Sequence, residues 1–79
     1  MSKKISDKYP VGQKIHFKSG NLIGESGTII AVENESKHPI AIYGFLIHVQ
    51  LNNGRLVFVE KTEHIEKANQ HPQYNNQNQ

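Results

Sequence analysis

The sequence predicts an all-β chain folded as one small five-stranded barrel. Three observations carry this. Residues 13–18, Gln-Lys-Ile-His-Phe-Lys, alternate polar and apolar strictly, which is the period of a half-buried strand. Residues 27–32 form a β-branched run. Asn53-Gly54 stands between two further apolar runs, and Asn-Gly is the strongest short-range hairpin signal. Five short strands separated by turn signals suit a barrel, because closure removes the exposed edges that such strands would leave.

The elements follow in order. Residues 1–8 are polar and read as a flexible basic arm. Tyr9-Pro10-Val11-Gly12 is a turn, since proline fixes its own φ and glycine admits conformations that other residues avoid. The first strand, 13–18, turns Ile15 and Phe17 inward and Lys14, His16 and Lys18 outward. A glycine-punctuated loop leads to the second strand at 27–32. Residues 33–39 are charged and end in proline, so they read as a loop. The longest apolar stretch, 40–51, is expected as one long strand bent at Gly44. Residues 55–60 return from the hairpin, 61–64 make a tight turn, and Ile65 opens a closing strand.

The domain is therefore placed at 9–68. The remainder, 69–79, is rich in Asn and Gln with almost nothing apolar. Such a tail cannot bury enough surface to offset the entropy of ordering it, so it is expected to be disordered.

Composition limits the function classes. With 79 residues the chain holds one domain with a thin core. It has no cysteine, so disulfides and thiolate metal sites are excluded. No apolar run approaches the roughly 18 residues of a membrane span. Lys3, Lys4 and Lys8 precede no apolar stretch, so the opening is not read as a signal peptide and a cytoplasmic protein is expected. Net charge is only +2, but five lysines fall in residues 1–20 against a single Asp7. That asymmetry favours an anionic partner near the first strand.

The stretch Gly20-Asn21-Leu22-Ile23-Gly24-Glu25-Ser26-Gly27-Thr28-Ile29 spaces three glycines before a β-branched pair. Glycines there allow a sharp loop and a close entry into the next strand. This segment resembles the KOW motif of NusG-type transcription elongation factors and some ribosomal proteins. Val11-Gly12-Gln13-Lys14-Ile15 upstream is similar to the opening of those domains. Gly54-Arg55, Val59-Glu60 and Ile65-Glu66-Lys67 are similar to their closing strands. The resemblance covers about residues 9–67, with a longer segment between Val32 and Phe45 than the compact family pattern. It implies an SH3-like barrel and contact with RNA through the loops around the glycines.

Candidate sites follow. Lys14, His16, Lys18, Asn21, Lys37 and Arg55 are the expected nucleic-acid-binding residues, for RNA or a ribonucleoprotein. The alternative is a protein-interaction adaptor or inhibitor that uses the loop at 33–44 and Leu56 with Phe58. One of the pairs Leu56/Phe58 and Val57/Val59 must face outward. The five histidines, His16, His38, His48, His64 and His71, show no metal-ligand spacing, and no metal or cofactor is expected. Glu60, Glu63 and Glu66 cluster near the last turn and read as solvated. No nucleophile and base, or paired acids, suggest catalysis, so the chain is read as a non-enzymatic module. A chain truncated after Ala68 is expected to melt at the temperature of the full chain. A lowered melting temperature in a thermal scan would place a docked element in residues 69–79.

Overall fold

The computed structural model describes residues 4–68. It is a mostly β fold, with five antiparallel strands in a single sheet and little helix. The strands are β1 (Lys14–Phe17), β2 (Ser26–Glu33), β3 (Leu46–Leu51), β4 (Leu56–Val59) and β5 (Ile65–Lys67). Their order across the sheet is β4-β3-β2-β1-β5, an open pairing with β4 and β5 at the edges. The expectation for residues 69–79 lies outside the described residues.

In β1, Ile15 and Phe17 are buried while Lys14 and His16 face outward, as their alternation requires. β2 is the strand on which both neighbours are built. Its first residues pair with β1 through Ile15↔Gly27, and it pairs with β3 from Gly27↔Leu51 to Glu33↔Leu46. Between Ile29 and Ala31 the register shifts, leaving Ile30 as an extra residue. Such a bulge resets the alternation and strengthens the twist. Val32 is thereby opposite Ile47 and packs against the core, where uninterrupted alternation would have turned it outward.

The core gathers Tyr9, Ile15, Phe17, Ile29, Ile47, Val49, Leu51, Val59 and Ile65 into one cluster. Phe17 of β1 and Val59 of β4 belong to it although two strands lie between theirs, so the sheet curls around its own apolar face. At the N-terminal side, α1 (Ile5–Lys8) is a single helical turn where the sequence suggested only a loose arm. Ile5 packs against the core, and the Ser6 N–H donates to Asn34 Oδ1 at 2.9 Å.

The long strand expected from residue 40 is corrected: β3 begins at Leu46. Pro39 brings no N–H to a ladder. After it the backbone turns on itself twice, with Ala41 N–H donating to His38 C=O and Gly44 N–H to Ala41 C=O, each at 2.9 Å. The Ile42 N–H is spent on Ile40 C=O, so these donors are satisfied without a partner strand. Apolar composition at 40–45 was thus a poor guide to strand. The β3–β4 hairpin turns as expected: Leu51 N–H donates to Arg55 C=O at 2.8 Å, and Asn53 Oδ1 accepts from the Arg55 N–H at 2.9 Å. A 3₁₀ turn, Thr62–His64, then leads into β5, which pairs with β1 through Phe17↔Ile65.

Gly27 has an ordinary φ, and its constraint is space. A Cβ there would stand 2.5 Å from Gln50 C=O and 2.9 Å from Leu51 Cα, both backbone. Gly27→Ala is expected to cost ~1–3 kcal/mol through overpacking, and Gly27→Val more, read by urea unfolding. Unchanged midpoints for both would show that β2 and β3 separate freely at this point.

Candidate binding surface

The expected basic residues are only partly brought together. Lys14 projects from the outward face of β1, with Nζ 3.3 Å from Thr28 Oγ1. His16 does not stand free: its Nε2 is hydrogen-bonded to Glu66 Oε2 on β5. Any charge on His16 is therefore answered by the carboxylate beside it. Lys18 follows β1, and its N–H donates to His64 C=O at 2.9 Å, so it stands where the 3₁₀ turn joins the sheet. Arg55 lies in the hairpin after β3, whereas Lys37 lies in the loop before β3. These two cations are held at opposite ends of a six-residue strand, ~20 Å long. Because β1 runs parallel to β3, Lys18 shares Arg55's end and Lys37 does not.

On β4 the outward pair is Leu56 and Phe58, exposed by 60% and 46%, while Val59 is buried. Phe58 meets the His48 ring edge-on, with centroids 4.9 Å apart, and the His38 ring lies tilted to it at 6.4 Å. His48 Nε2 is 2.6 Å from Glu33 Oε2. The hydrogen bond from His48, with a second from Ser36, holds the Glu33 carboxyl below its usual 4.5.

Phe58 also reaches a groove of about 260 Å³. Its apolar walls are Phe17, Leu22, Phe58 and Val59. Ser19, Asn21, Glu60 and His64 supply its polar groups. Of the three glycines in the loop segment, Gly20 lines it. Gly20 takes φ +86°, a left-handed conformation that a side chain would strain, and a Cβ would stand 3.3 Å from His64 Nδ1. The bare backbone there lets the imidazole lie against it. Ser19 Oγ and His64 Nδ1, 2.9 Å apart, tie the loop to the 3₁₀ turn. Gly24, also at positive φ, returns the chain to β2 by donating to Phe17 C=O at 3.0 Å.

The groove joins two sites that the sequence kept apart, since Asn21 of the glycine loop and Phe58 of the apolar pair both line it. Ser19, Glu60 and His64 were not foreseen as site residues. Ser19 and His64 are 45 positions apart, and their meeting depends on β5 pairing with β1. Among the described residues, no three His, Asp or Glu side chains gather as metal ligands, and no helix is long and apolar enough to cross a membrane.

Comparison of the chain with protein-family models, curated proteins and solved structures finds no match. What the fold and surface define is a small all-β domain with a mixed polar–aromatic groove.

The Glu33 shift sets a pH dependence. A carboxyl with a lowered folded-state pKa adds stability above its unfolded value, and that contribution is lost as pH falls through the folded value. Glu33 is therefore expected to titrate below 4.5 by carboxyl-carbon NMR, and His48→Ala to move it back toward 4.5. An unchanged midpoint in His48→Ala would remove His48 as the cause.

Proposed function

We propose that the chain is a non-enzymatic binding module, an SH3-like barrel of the KOW type. It contacts single-stranded RNA in a cytoplasmic ribonucleoprotein or transcription complex. The observation that carries this reading is the groove lined both by the partly exposed Phe58 and by Asn21 of the glycine loop, with the Lys18 backbone hydrogen-bonded to its wall residue His64. Aromatic platforms next to cations are how single strands are held: the cations meet phosphate and the rings meet bases. The single core cluster under a curled sheet supports the barrel, since α1 is too short to cover that face. The Ser19–His64 contact is read as a tether. Among the described residues, no hydrogen bond orients the second ring nitrogen of His64 as a base would require.

The cations assigned to phosphate are Lys14, Lys18 and Arg55. Lys37 directly precedes His38, whose ring lies 6.4 Å from Phe58, so it stands on the Phe58 side of the sheet and can meet phosphate there. His16 contributes little because of Glu66. A second reading, a protein-interaction adaptor or inhibitor, is favoured by Leu56 on the edge strand together with Ile42 and Tyr43, both more than 60% exposed in the loop at 33–44.

Titration of a fluorescent single-stranded RNA at several salt concentrations tests the choice. About three to five neutralised phosphates give a log–log salt slope of roughly −2 to −3.5. Lys14→Glu with Lys18→Glu is expected to reduce binding to near background while circular dichroism stays unchanged, because both side chains are exposed. No binding by the unmodified protein at low salt would reject the RNA reading. A protein captured after nuclease treatment, retained by the double lysine variant and lost with Leu56→Glu, would establish the adaptor.

A further inference from the structure

We propose that the groove between the glycine loop and the end of β4 is a subsite for one unpaired nucleobase, and that Glu60 makes it select bases that carry an exocyclic amino group. This deepens the RNA reading and rests on it. Three features point to a base and not to another part of the chain. The groove is small, about 260 Å³, and open to solvent, and it has room for a single ring system. Its walls are aromatic and aliphatic, with hydrogen-bonding groups from Ser19, Asn21, Glu60 and His64, which matches a flat heterocycle with polar edges. Finally, Glu60 lines the groove and brings an acidic residue to it. Like charge disfavours a phosphate there, so the backbone must pass outside, where Lys18 adjoins the groove through its bond to His64 C=O.

Roles follow from the chemistry of each group. Phe58, 46% exposed as a residue, supplies the aromatic ring of the site, and stacking on such a ring is tolerant of base identity. Glu60 can only accept when ionised, so it pairs with the amino group of cytosine, adenine or guanine and leaves the uracil O4 unpaired. Asn21 both donates and accepts, so its amide can meet either type of ring edge. His64 is held by Ser19 Oγ and seated on Gly20, which positions its ring as a wall of the site before any base arrives.

The test uses the full chain and three labelled ten-nucleotide probes at pH 8: oligocytidine, oligouridine and an abasic ribose-phosphate chain of equal length. Binding is read by fluorescence anisotropy. Oligocytidine is expected to bind about 5- to 150-fold tighter than the abasic chain, the range for one stacked base. It should bind about 12- to 160-fold tighter than oligouridine, the range for one hydrogen bond to a charged group. Phe58→Ala should remove most of the advantage over the abasic chain and leave the salt slope unchanged; Phe58→Leu, which keeps apolar bulk, should do the same. Glu60→Gln should equalise cytidine and uridine, because an amide can donate to O4. Cytidine monophosphate should shift the amide resonances of Gly20 and Asn21. Equal affinity for oligocytidine and the abasic chain overturns the subsite and leaves the RNA reading standing. So does a base preference that survives both Phe58 variants. Equal affinity for cytidine and uridine in the unmodified protein overturns the role of Glu60. Failure to bind any of the three chains overturns the RNA reading and the subsite together.

Discussion

The contact between β2 and β3 at Gly27 is the constraint on which the rest of the fold depends. Here the β3 backbone lies where a side chain on β2 would be, with Gln50 C=O only 2.5 Å from the position of a Cβ. The same glycine is opposite Ile15 of β1 on its other side. Three strands are therefore locked in register at one residue, and a one-residue slip would carry Ile29, Val49 and Ile15 together to the solvent face. The bulge at Ile30 completes this arrangement. It allows β2 to keep apolar residues inward beyond the point where a regular strand would have lost phase with β3.

Outward polarity is a consequence of that register. With Ile47 and Val49 turned in, His48 must face out, and Phe58 opposite it on β4 must face out as well. Glu33, at the far end of β2, then falls within hydrogen-bonding distance of His48. On the other side of the sheet, the pairing of β1 with β5 sets His16 beside Glu66 in the same way. Both outward imidazoles near the sheet edges are thus matched to a carboxylate. The positive character of the surface is left to lysines and Arg55 and does not extend across a whole face.

The parts of this architecture that were readable in the sequence are those governed by neighbours along the chain. Alternation in residues 13–18 gave β1 and its inward pair. Asn53-Gly54 gave the hairpin, and the tight turn before Ile65 gave the closing strand. What misled was composition without periodicity: residues 40–45 are as apolar as β3, yet Pro39 and Gly44 fold them into turns that satisfy their own donors. The groove was readable only in pieces. Asn21 and Phe58 were each singled out for separate reasons, but a curled sheet was needed to bring them together. Ser19, Glu60 and His64 carry no local signal, because their roles come from partners reached through tertiary pairing.

The glycine segment has two distinct tasks that its spacing alone does not separate. Gly27 admits a neighbouring backbone, so it belongs to the packing of the sheet. Gly20 admits a neighbouring ring, so it belongs to the surface. A fold that needed only the first would tolerate a side chain at residue 20 wherever the loop could relax. Here the loop is not free to relax, since Ser19 is bonded to His64 and Lys18 is bonded to the same residue's carbonyl. Two consecutive residues of the loop are thereby fixed to the 3₁₀ turn that precedes β5. The wall of the groove formed by His64 is consequently as rigid as the β1–β5 pairing behind it, whereas the wall formed by Phe58 stands on an edge strand with one free side. Under the proposed function, a base entering between them would meet one wall that is preorganised and one that has room to adjust, which lowers the ordering cost on one side and leaves tolerance for ring size on the other.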